Sequence, residues 1–111
     1  MTAALMDESQ YRRLIDETFE AIDRGFEPVD PDVAESVIGQ GTLTVTFADG
    51  KRLILSPQTP VRQLWVAFRD RAWHFDRKGE AWIDDRGQGI ELRGLVKQIT
   101  REQCGLEIAL G

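Results

Sequence analysis

Apolar positions recur along residues 10–27, QYRRLIDETFEAIDRGFE, with the period of a helix. At about 100° per residue, Tyr11, Leu14, Ile15, Thr18, Ile22 and Phe26 fall on one side. Asp16, Glu20, Asp23 and Glu27 form a row on the other, at spacings of four, three and four. Ser9 is the predicted N-cap, without a capping box because Arg12 holds the position three residues on. Gly25 and Pro28 bracket the predicted end. Residues 27–35, EPVDPDVAE, contain two prolines that disfavour regular structure, and Glu27, Asp30, Asp32 and Glu35 carry negative charge past the helix.

The period then changes to two. In Thr42–Phe47, Leu43, Val45 and Phe47 alternate with threonines, the pattern of a half-buried strand. Asp49-Gly50 predicts a tight hairpin, and residues 51–56 return with Leu53 and Leu55 in phase. The run PQTP at 57–60 predicts a turn. In residues 62–69, Leu64, Val66 and Phe68 share the core face, while Gln63, Trp65, Ala67 and Arg69 share the other. One side chain cannot change face without a slip of the whole strand, so Trp65 belongs on the outer face of the sheet. It is either covered by a neighbouring strand or an exposed binding residue, and the enrichment of tryptophan at interfaces favours the second.

Asp70-Arg71 turns the chain into a strand where Trp73 and Phe75 oppose His74 and Asp76. After a turn at residues 78–80, Ala81–Asp84 is a short strand that puts Trp82 in the core. Residues 85–89, DRGQG, form a loop. A second helix is predicted over 90–102, with Leu92, Leu95, Val96 and Ile99 on one stripe, Gly94 weakening it and Gly105 ending it. Residues 106–110 form an apolar extended tail that covers the core. The predicted fold class is α+β: a two-layer α–β sandwich with both helices packed on one face of an antiparallel sheet.

A length of 111 residues suits a single domain over 1–111 with a real core. Residues 1–50 hold 11 acidic and 3 basic residues and residues 51–111 hold 8 and 11, so −8 and +3 make up the net −5. The chain therefore has an acidic side, which disfavours nucleic acid and favours hard cations or basic protein patches. The apolar runs are too short to span a bilayer, and the N-terminus lacks the features of a signal or transit peptide. The single cysteine, Cys104, excludes an intramolecular disulfide framework and fits a cytoplasmic protein.

Catalytic chemistry has little support. His74 has no evident nucleophile partner, Cys104 reads as half-buried packing, and no phosphate-binding glycine motif is present. Carboxylates on an exposed helix lack the desolvation that raises a pKa for acid–base work. The chain is therefore expected not to be an enzyme. What remains is weak, surface binding of a cation by carboxylate oxygens, which suit hard or oxophilic metals. Residues 30–35 lack the spacing and glycine of an EF-hand loop.

Several stretches resemble the frataxin family, most closely its bacterial branch. They are Leu43-Thr44-Val45-Thr46-Phe47, Asp49-Gly50, Gln58-Thr59-Pro60, Gln63-Leu64-Trp65, His74-Phe75-Asp76, Gly79, Trp82 and Asp85-Arg86-Gly87. The resemblance covers nearly the whole chain and implies the same α–β sandwich. It also implies a role in iron–sulfur cluster assembly, with ferrous or ferric iron bound weakly on an acidic ridge. That ridge corresponds to Asp16, Glu20, Asp23, Glu27, Asp30 and Asp32, with Asp49 as an added position. The implied partners are the cysteine desulfurase and the cluster scaffold protein, met through exposed sheet residues that correspond to Gln58, Gln63 and Trp65. The implied state is a monomer, with iron promoting oligomers. Arg24, Gly25, Pro28 and Ser56 depart from the family pattern and bear on the number of ions held.

Three functions follow as expectations. The first is an iron-binding regulator of the desulfurase or iron donor. The second is an acidic docking module for a basic partner, with iron incidental. The third and weakest is a ferroxidase, which wants two irons in an enclosed carboxylate site that nothing here provides.

Overall fold

The computed structural model describes residues 6–110. Helix α1 (Glu8–Phe26) is followed by strands β1 (Ala34–Gly39), β2 (Thr42–Phe47), β3 (Arg52–Gln58), β4 (Gln63–Phe68), β5 (Arg71–Lys78) and β6 (Ala81–Asp84), then helix α2 (Leu92–Cys104). The strands form one sheet in the order β1-β2-β3-β4-β5-β6, and every neighbouring pair is antiparallel. Alternation sets the faces: Leu43, Val45, Leu53, Leu55, Leu64, Val66 and Phe75 are almost fully buried on one side. Tyr11, Ile15, Ile22 and Phe26 of α1 and Leu92, Leu95, Val96 and Ile99 of α2 join them in one core. This is the expected two-layer α+β sandwich.

The helix α1 places Phe19 in the core as well, three residues before Ile22 and four after Ile15, while Leu14 is only partly buried. Its N-cap is Asp7, not Ser9; the Asp7 carboxylate accepts the Gln10 N–H at 3.4 Å. Two hydrogen bonds tie this helix to the sheet. The Tyr11 hydroxyl donates to the Gln63 carbonyl at 2.5 Å, and Trp82 Nε1 donates to Thr18 Oγ1 at 3.0 Å. Thr18 in turn donates to the Leu14 carbonyl, so a polar group in the core is satisfied in both directions.

Gly25 is buried near the end of α1, and it admits the C-terminal tail. A Cβ there would stand 2.5 Å from Leu110 Cδ2 and 2.8 Å from the Ala109 carbonyl oxygen. The tail covers the core as expected, through Ile108 and Leu110.

Three boundaries differ from the sequence reading. The strand β1 was not anticipated, because only Ala34 of its six residues is buried and it shows no alternating apolar face. It ends in a two-residue turn at Gln40-Gly41, with φ of 54° and 78°, which makes it a type I′ hairpin with β2. Pro57 and Gln58 lie in β3, opposite Leu64 and Gln63, instead of in a turn. The pairing of β3 with β2 has stopped at Leu55, so Pro57 has no ladder to interrupt on that side. The second helix starts at Leu92, two residues late, because Ile83 bridges to Glu91 and keeps residues 90 and 91 extended.

Candidate functional site

Two surfaces carry the candidate residues. On α1, Asp16 and Glu20 are exposed and Asp23 is half-buried, and Glu27 is exposed at the C-cap of the helix. Asp30 and Asp32 are exposed in the loop that follows. The Asp30 carboxylate accepts the Asp32 N–H at 2.9 Å, which fixes that loop locally. Ion pairs among the described residues join Arg12 to Glu8, Lys51 to Asp49, and Arg101 to Glu107; none engages these six carboxylates. A shallow cleft between the end of α1 and β1 brings Asp23 and Glu27 beside Glu35. The sequence places Glu35 in a loop that continues the charge of the row as one acidic ridge; here it stands on strand β1 instead, beside Asp23 and Glu27. Among the described residues no three His, Cys, Asp or Glu side chains converge tightly enough to hold an ion.

Asp49 stands apart. It sits in the β2–β3 turn, paired with Lys51 Nζ at 2.8 Å and accepting from Gln103 Nε2 at 3.1 Å. The hydrogen bonds from Lys51, followed by that from Gln103, lower its pKa to about 2. Its charge is already compensated, unlike that of the row on α1.

The second surface is the outer face of the sheet. Register places Gln63 between Gln58 and Asp76, and Trp65 between Ser56 and His74. Trp65 is 37 % exposed, so the outward assignment holds. One ring face is nonetheless covered: the indole stacks on His74 with centroids 4.2 Å apart and planes 12° from parallel. Its Nε1 donates to Gln63 Oε1 at 2.9 Å, and Gln63 Nε2 donates to both Asp76 and Asp85 at 3.1 Å. His74 Nδ1 lies 3.7 Å from the same Asp85 oxygen. His74, Asp76 and Asp85 thus complete a network in which Gln63 and Trp65 had been singled out. The sequence signal for it was period-two alternation, which puts His74 on the face that Trp65 occupies.

A structural carboxylate lies at the end of β6, opposite Phe75 on the core face. Asp84 is 3 % exposed and accepts the backbone N–H groups of Arg86, Gln88 and Ile90 at 3.2, 3.1 and 2.6 Å. Burial pushes its pKa up, but the N–H groups of Gln88, Ile90 and Arg86 outweigh that and leave it lowered. A carboxylate with a lowered folded-state pKa adds stability above its unfolded pKa, about 3.9, and loses it as pH falls through the folded value. Stability is therefore expected to drop from pH 4 toward pH 2, read as a falling urea midpoint. Asp49→Asn should remove its share of that pH dependence, and an unchanged profile would refute the assignment for Asp49.

The fold and the two surfaces define a small α–β sandwich that presents a carboxylate row on one helix and a braced tryptophan on the open sheet face. Residues 4–106 match the family model of the frataxin-like domain. A protein of Tolumonas auensis named iron–sulfur cluster assembly protein CyaY is 34 % identical over 106 residues, covering 96 % of this chain and 100 % of the relative. The chain belongs to the frataxin-like family. Its fold is shared with a frataxin from Psychromonas ingrahamii, at TM-score 0.87 and 24 % identity, over 96 % of this chain and 99 % of that one. It is also shared with a trimeric frataxin from the yeast Saccharomyces cerevisiae complexed with ferrous iron, at TM-score 0.63 and 17 % identity, over 96 % and 92 %. Among the described residues, no helix is long and apolar enough to cross a membrane.

Proposed function

We propose that this chain is a non-enzymatic, cytoplasmic iron-binding protein of iron–sulfur cluster assembly. It binds iron weakly on the ridge of Asp16, Glu20, Asp23, Glu27, Asp30 and Asp32, and serves the cysteine desulfurase as an iron-dependent regulator or iron donor. The observation that carries this reading is the row of α1 carboxylates, which no ion pair among the described residues engages. Like charges at i, i+3 and i+4 cost a few tenths of a kcal/mol per pair, so the row is kept at the expense of helix stability. Open carboxylates with no tight cluster suit a hydrated ion held by one or two protein ligands.

The test is anaerobic titration of Fe(II) against the wild type and a variant carrying Asp16→Asn, Glu20→Gln, Asp23→Asn and Glu27→Gln. The variant is expected to lose iron binding and to gain about 1 kcal/mol of stability from relieved repulsion. Equal iron binding by both proteins would remove the row as the metal site.

A second reading makes the chain an acidic docking module for a basic partner, the desulfurase or the scaffold protein, with the braced Trp65 as a further contact and iron incidental. Exposed charge contacts are screened within about 8–10 Å at physiological ionic strength, so this reading requires desulfurase binding to weaken steeply with salt.

A further inference from the structure

The two edges of the sheet are finished differently. At the β6 edge, Ile83 bridges to Glu91 and the Asp84 N–H donates to the Ile90 carbonyl at 3.0 Å, so the chain covers its own strand. At the β1 edge no such cover exists among the described residues. A hairpin with a two-residue loop pairs its flanking residues by hydrogen bonds and then every second residue. Here that assigns Gly39, Val37 and Glu35 to the β2 ladder, and the Val33 carbonyl accepting the Ala48 N–H at 3.1 Å continues the same phase. Ala34, Ser36 and Ile38 therefore point their backbone groups away from β2. Asp30 takes the Ala34 N–H, which leaves the N–H and C=O of Ser36 and Ile38 unpaired by backbone among the described residues.

Proteins guard such edges with lysine, proline or a bulge. The strand β1, AESVIG, has none of these, and it exposes Val37 by 51 % and Ile38 by 43 %. Beside it lies the cleft lined by Asp23, Glu27 and Glu35.

We propose that the β1 edge accepts an extended segment of a partner protein as a seventh strand, with apolar residues against Val37 and Ile38 and Lys or Arg at the Ala34–Glu35 end. Charge selects this occupant over a second copy. Edge-to-edge pairing of two copies would press two acidic ridges together, whereas a basic segment meets carboxylates that no ion pair among the described residues engages. The charge part of this argument rests on the α1 row proposed to hold iron, but the strand addition itself needs no metal.

The probe is the labelled hexapeptide acetyl-VTVTKR-amide, whose basic end meets Ala34–Glu35 when it pairs antiparallel like the other strands, with VTVTED as control, titrated without iron. Saturable binding of the first is expected, at least about tenfold tighter than the control, together with slowed amide exchange at Ser36 and Ile38. Ile38→Pro removes an outward N–H that β2 does not use, and Val37→Lys guards the outer face. Both variants should abolish binding, and the lysine variant serves if the proline variant fails to fold. Equal binding of the two peptides, unchanged amide exchange, or binding that survives Val37→Lys would overturn the proposal. So would a peptide-free dimer that Val37→Lys dissociates, since it would make a second copy the occupant. A variant with Asp16→Asn and Glu20→Gln should lose iron affinity but keep the peptide, so the two readings can fail separately.

Discussion

Gly25→Ala is expected to destabilise the protein by about 2–3 kcal/mol, although alanine is the better helix former. The new methyl would sit 2.5 Å from Leu110 Cδ2 and 2.8 Å from the Ala109 carbonyl oxygen, and backbone cannot yield as a flexible side-chain tip does. The tail must move off α1, which returns the apolar surface of Leu110 and part of Ile108 to water. Gly94→Ala is the matched control. Gly94 lies inside α2 with nothing within 4 Å of where a Cβ would stand, so the same change there should stabilise by up to about 1 kcal/mol. Urea unfolding of the two single variants checks the pair. Equal shifts in the same direction would mean that the tail does not depend on Gly25.

Trp82→Ala should cost about 3–5 kcal/mol. Trp82 is 3 % exposed, meets the Tyr11 ring edge-on with centroids 6.4 Å apart, and donates to Thr18. Its loss would open a cavity between α1 and β6 and cut one of the links that hold the acidic helix to the sheet. Trp65→Ala should behave in the opposite way. Its side chain is on the outer face, so the stability change should stay under about 1 kcal/mol. Desulfurase affinity should instead fall by roughly 1–3 kcal/mol if Trp65 anchors the contact. Denaturant midpoints and binding isotherms on both variants separate the roles; a large stability loss at Trp65 would make it a structural residue.

Period-two alternation was legible wherever one face of a strand is buried, which is why the assignments of Leu64, Val66, Phe68 and Trp65 hold. It failed at β1, where burial touches only Ala34 and the two large apolar residues, Val37 and Ile38, are adjacent in sequence. It also failed at Pro57, because a proline reads as a break unless one knows that the neighbouring strand has ended. The acidic row on α1 could be read from spacing alone. That the charge continues to Glu35 could also be read, but not that Glu35 stands on a strand, since nothing in the alternation marks β1. The Trp65 network was half visible: alternation places His74 on the correct face, but only the register between β4 and β5 sets imidazole against indole.

The up-and-down strand order also bears on how the chain assembles. Each strand pairs with the one beside it in sequence, so the sheet can zip together through short loop closures, the kind of topology that folds quickly. Seating the tail against Gly25 is different, because it joins the first helix to the last residues. During synthesis the greasy side of α1 leaves the ribosome well before Ile108 and Leu110, and this flank stays unsealed until they follow.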